Sequence, residues 1–118
     1  MSISGPRLYD LSLIAEMAQG DKAFMKEIAE TFVSSVPPVL KAMIDCCRNQ
    51  DWKAMASEAH NLKSNIDTMQ IVSIRDDIRA VELNGKQGID LDITPEIVDR
   101  IGNILNQAIE QLKEEYSL

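Results

Sequence analysis

From Ile97 onward the apolar residues recur every three or four positions: Ile97, Ile101, Ile104 or Leu105, Ala108, Leu112 and Tyr116. Such a run of about five turns can bury its apolar side only as a helix packed on other helices. Thr94, Pro95 and Glu96 ahead of it form a helix start signal, because a proline in the first turn removes an N–H that has no partner there. No segment alternates apolar and polar residues with period two between turn dipeptides, so a sheet has no sequence support. Aromatics make up 4% of the chain, which leaves Leu, Ile, Val, Met and Ala to build the core.

Caps, prolines and glycines divide the rest. Asp10 caps a short helix through Gln19, with Leu11, Ile14 and Met17 on one face and Gly20 just past its end. Asp21 caps a second, along which Phe24, Met25, Ile28, Phe32 and Val36 follow the amphipathic rhythm. Pro37 and Pro38 are expected to end that helix and open a third, carrying Leu40, Met43, Ile44 and Cys47. Asp51 caps a fourth that runs to about Met69. A fifth spans about 73–84 and is expected to end at Gly85 and Gly88. The expected architecture is an all-α, antiparallel four-helix bundle with one or two additional short helices. The 118 residues make one domain, with 1–8 as a loosely ordered N-terminal segment.

The net charge of −7 argues against a sequence-independent grip on nucleic acid or on anionic lipid, both of which need a basic footprint. No apolar run approaches the roughly 20 residues that span a bilayer, and the first residues lack the basic-then-apolar pattern of a signal peptide. The expected compartment is the cytoplasm and the expected partner is a protein. Cys46 and Cys47 are adjacent, which strains a bridge between them, so they read as reduced thiols. With one histidine and no CxxC or HExxH spacing, no metal site of the chain's own is expected. The methionines at 17, 25, 43, 55 and 69 read as core filler, and the acidic residues around Asp76, Asp77, Glu114 and Glu115 as solvated faces.

The fourth helix carries the chemistry. At about 100° per residue, Trp52, Met55, Ala59, Leu62 and Ile66 gather on one face, and His60 falls roughly 130° from its centre. His60 should therefore meet solvent. Lys63 and Ser64 lie one turn further on, with Ala56 and Ser57 one turn back and Lys53 about two turns back. A neutral imidazole is a competent nucleophile, small neighbours let another protein approach it, and a flexible lysine suits an anion that arrives and leaves. The HxLK spacing is short, and the wider neighbourhood carries the assignment.

That neighbourhood resembles the histidine-containing phosphotransfer (HPt) family. Asp10-Leu11-Ser12, Gly20-Asp21, Phe32, Asp51-Trp52 and Ala59-His60-Asn61-Leu62-Lys63-Ser64 keep the family's order and approximate spacing over residues 9 to about 82. Two positions depart from it: Ser64 and Gln70 stand where the family usually has glycine. The resemblance implies a phosphoryl carrier in a multistep two-component phosphorelay, without kinase activity of its own. His60 would accept the group from a receiver-domain aspartate and pass it to another receiver. Lys63 would offset phosphoryl charge, and Ser64 would keep the approach open. The partners implied are receiver domains of response regulators or hybrid histidine kinases. Leu11, Leu13 and Ile14 cover more of the short first helix than one buried stripe requires, so Leu13 or Ile14 is expected beside the fourth helix in the docking surface, with Lys53, Ala56, Ser57 and Asp67. The chain itself would be a monomer without cofactor, the metal being supplied by the receiver. The alternative is a helical adaptor that binds receivers or other helices and never takes up phosphate.

Overall fold

The computed structural model describes residues 5–118. These form five α-helices and one 3₁₀ turn, and no strand occurs among the described residues: α1 (Ser12–Met17), α2 (Lys22–Arg48), α3 (Trp52–Thr68), the turn Val72–Ile74, α4 (Arg75–Gln87) and α5 (Thr94–Tyr116). Helix α3 packs against α2 and α4, while α5 closes the other side against the same two. The core between them is aliphatic and sulfur-rich, with Val36, Met43, Met55, Leu62, Ile66, Ile78, Ile101, Leu105 and Leu112 fully buried. Leu105, not Ile104, continues the inward stripe of α5.

Two of the expected caps are made by side chains. Asp21 Oδ1 accepts from the N–H groups of Ala23 and Phe24 at 3.0 and 3.3 Å, and Asp51 Oδ1 from that of Ala54 at 3.3 Å. Asp10 instead sits one residue ahead of the cap position, holds the Ser12 N–H at 2.8 Å, and the helix it precedes ends at Met17. Thr94 begins α5 but does not cap it: its hydroxyl donates to the Asp90 carbonyl at 2.8 Å and accepts from buried Asn84 at 3.2 Å.

The prolines do not divide α2. Pro37 and Pro38 lie within one 27-residue helix. The buried stripe Phe32, Val36, Leu40, Met43 and Cys47 continues in register across them, so packing on both sides outweighs the lost backbone bonds. The carbonyls left without donors belong to Val33 and Ser34, half-exposed and exposed residues that water can reach. The expected second and third helices are thus one. Helix α4 likewise runs past Gly85 and ends at Gly88, whose φ of +66° closes it in the left-handed conformation.

Other expectations change with packing. Met17 is 55% exposed and not core. Asp77 is clamped by both arms of the Arg100 guanidinium at 2.8 Å, and Glu115 accepts from the Tyr9 hydroxyl at 2.8 Å and from Arg7 at 2.9 Å, so neither is merely solvated. Burial first, and then the Glu115 bond, push the Tyr9 hydroxyl well above its usual pKa. Of the stretch 1–8, residues 1–4 lie outside the described residues. Pro6 and Leu8 are tied to α5 through the Gln111 side chain, which holds the Pro6 carbonyl at 2.7 Å and the Leu8 N–H at 3.0 Å. Both cysteines are free thiols, Cys47 buried and Cys46 half-buried. No helix among the described residues is long and apolar enough to cross a membrane.

Candidate functional site

His60 stands on the outer face of α3 with 60% of its side chain exposed, while Met55, Ala59, Leu62 and Ile66 face inward. Its Nδ1 is 2.7 Å from Oε2 of Glu82, on the neighbouring helix α4. A carboxylate can only accept, so the proton of a neutral ring resides on Nδ1 and the lone pair on Nε2. The nitrogen that remains free is therefore the nucleophilic one.

Glu82 is the centre of the site. Its side chain is 9% exposed, and it collects Lys63 Nζ on Oε1 at 2.8 Å and Lys86 Nζ on Oε2 at 3.0 Å, beside the histidine. The bond from Lys63, followed by those from Lys86 and His60, outweighs the burial that opposes ionisation and holds its carboxyl at about 2, against an ordinary 4.5. The carboxylate is thus ionised at neutral pH. Glu82 escapes notice in the sequence because two of its three partners lie 19 and 22 residues upstream. One signal was present: it sits within the inward stripe Ile78, Val81, Gly85 of α4, where an acidic residue needs a reason.

The reason α4 comes so close is glycine. A Cβ on Gly85 would lie 2.5 Å from the Trp52 carbonyl oxygen and 2.9 Å from Ala56 Cβ. Ala56 is accordingly 2% exposed, part of the α3–α4 contact and not of a surface around His60. Lys63, expected to face an incoming phosphoryl group, is 30% exposed and bonded to Glu82.

The remaining candidates are spread over the surface. Ser64 is exposed one turn from His60. It lines a groove of about 260 Å³ between α2 and α3, shared with Phe24, Ile28, Phe32, Thr68 and Met69. Phe24, whose spacing puts it in the apolar stripe of α2, is 45% exposed where it lines this groove. Lys53 and Ser57 are exposed on α3. Asp67 is engaged by Arg79 at 2.7 and 3.1 Å, chiefly a bond that holds its carboxyl below the usual range. Of the α1 pair, Leu13 is 38% exposed and Ile14 is 1% exposed, so only Leu13 can meet a partner. Met17 joins it on the same face one turn on.

Gln70 has φ +50°, the left-handed region in which glycine costs least. Its side chain compensates by donating to the Asp10 carbonyl and to Ser12 Oγ, both at 3.2 Å, while the Asp10 N–H bonds the Met69 carbonyl at 3.0 Å. These bonds fasten the start of α1 to the end of α3. Leu13 is thereby set near the end of α3 remote from His60 by nine residues, about 13 Å along the helix.

Among the described residues no three His, Cys, Asp or Glu side chains gather as a metal-binding group. Comparison of the chain with protein-family models, with curated proteins and with solved structures gave no match.

Proposed function

We propose that the protein is a histidine phosphotransfer carrier of the HPt kind, an antiparallel four-helix bundle with α1 as an added short helix, working on His60 as a monomer in the cytoplasm. The observation that carries this reading is the exposed imidazole whose Nδ1 is occupied by a buried, ionised Glu82. That pairing is what an in-line phosphoryl acceptor requires: one nitrogen fixed, the other free and facing out.

In the proposed step a receiver carrying an aspartyl phosphate docks over α3. The Nε2 lone pair forms the N–P bond as the P–O bond to the aspartate breaks, and the electron pair leaves with the receiver carboxylate. The receiver supplies the divalent metal that offsets charge on the transferring group. The Nδ1 proton stays in place against Glu82, whose negative charge balances the positive charge the ring acquires. Onward transfer to a second receiver is the same step reversed. Ser64 and the groove beside it, together with Leu13 and Met17, offer the small and apolar surface such a docking needs.

Mixing the protein with a phosphorylated receiver and measuring acid-labile, base-stable phosphate tests the reading. A carrier becomes labelled and His60→Gln does not. A chain that binds the receiver but never takes up phosphate is an adaptor, and the proposal fails.

A further inference from the structure

The two oxygens of Glu82 carry unequal loads. Oε1 serves Lys63, whereas Oε2 serves both His60 Nδ1 and Lys86. The lysines differ as well: Lys63 is 30% exposed at 2.8 Å, and Lys86 is 62% exposed at 3.0 Å, one turn along α4 from the carboxylate it meets. A phosphoryl group on Nε2 would bring about two negative charges beside this cluster and compete for its cations. Drawing Lys63 away would strip Oε1, in a side chain only 9% exposed, of the partner it has. Drawing Lys86 away leaves Oε2 bonded to the ring N–H, by then cationic and a stronger donor.

Resting on the reading that His60 is the phosphoryl acceptor, we infer that Lys86 is the cation that moves onto the phosphoryl oxygens, and that Lys63 is a positioning residue that keeps Glu82 against Nδ1. The sequence motif points to Lys63 for the first role, three residues from His60 on the same helix. The geometry assigns it the second. Lys86 Nζ and His60 Nδ1 meet at a single oxygen atom, 3.0 and 2.7 Å from it, and the flexible, exposed stem of the lysine can follow a group that arrives and departs.

Phosphoramidate tests this without any receiver: its P–N bond breaks, ammonia leaves, and the Nε2–P bond forms. The quantities to compare are the hydrolysis rate of phosphorylated His60 and, in the unphosphorylated protein, the ring ¹⁵N shifts that report the tautomer. Lys86→Gln should shorten the phosphohistidine lifetime several-fold with the tautomer unchanged. Lys63→Gln should disturb the tautomer, and Lys63→Arg should restore it. A parent-like lifetime in Lys86→Gln overturns the inference, as does a shortened lifetime with an undisturbed tautomer in Lys63→Gln. A parent chain that phosphoramidate leaves unmodified also overturns it, since Nε2 is then not accessible. Labelling by phosphoramidate but not by a phosphorylated receiver sinks the phosphorelay reading alone, and the lysine comparison still stands.

Discussion

Gly85 of α4 faces the main-chain carbonyl of Trp52 in α3 so closely that a methyl group in its place would stand 2.5 Å from that oxygen. Glu82 lies one turn before Gly85, and His60 one turn after Ala56, which with Met55 also meets this glycine. The separation of the two helices here sets the reach of Glu82 to Nδ1. Gly85→Ala is expected to lower stability by about 1–3 kcal/mol, since backbone cannot yield as a side-chain tip can. It should also weaken the His60–Glu82 bond. Denaturant midpoints and His60 ring shifts of the variant check both effects, and parent values for both would mean that the contact is looser than described.

The caps and the facing of the helix that carries His60 were legible in the sequence. Asp21 and Asp51 cap where expected, and the helical projection put His60 outside and Leu62 and Ile66 inside. Local signals failed where distant packing decided. Pro37 and Pro38 read as a break because the sequence shows the lost N–H groups and not the partners that hold both halves of α2. Gly85 read as a helix end because its use is close approach to another helix. Glu82 shows in the sequence only as an acidic residue within the inward stripe of α4, because His60 and Lys63, which give it a function, come from a helix whose register against α4 no short motif encodes.

The depressed pKa of Glu82 makes a stability prediction with a definite sign. The folded value of about 2 lies below the ordinary 4.5, so its pairing stabilises the protein above pH 4.5 and the contribution is lost as pH falls towards 2. The stability difference between the parent and Glu82→Gln should be greatest above that window and shrink through it. Chemical unfolding at a series of pH values measures this. A difference that does not vary with pH would show that the carboxylate charge contributes nothing.

Leu13 and Ile14 are adjacent and should fail in opposite ways. Leu13→Asp places a charge on an exposed position and is expected to weaken receiver binding by about 1 kcal/mol or more, with the melting temperature nearly unchanged. Ile14→Asp buries a carboxylate in the core and should unfold the protein or lower its melting temperature sharply. Titration calorimetry and thermal melts separate the two, and indifference of binding to Leu13→Asp would place docking elsewhere.

Ser64 lines the groove between α2 and α3 one turn from His60, where size should matter more than polarity. Ser64→Gln is expected to slow transfer and weaken docking, whereas Ser64→Gly should transfer at least as fast as the parent. Rates from a phosphorylated receiver to each variant decide it. A Ser64→Gln chain that binds and transfers like the parent would mean that the receiver reaches His60 from another side.

On the proposed reading Glu82 reserves Nδ1 and leaves Nε2 as the reacting atom. Nitrogen-15 and phosphorus-31 NMR of the phosphorylated protein reads the site of attachment directly. The expected spectrum has the phosphoryl group on Nε2 of His60, with Nδ1 protonated, and no such signal in His60→Gln. Phosphate on Nδ1, or on any residue that remains labelled in His60→Gln, would contradict the account.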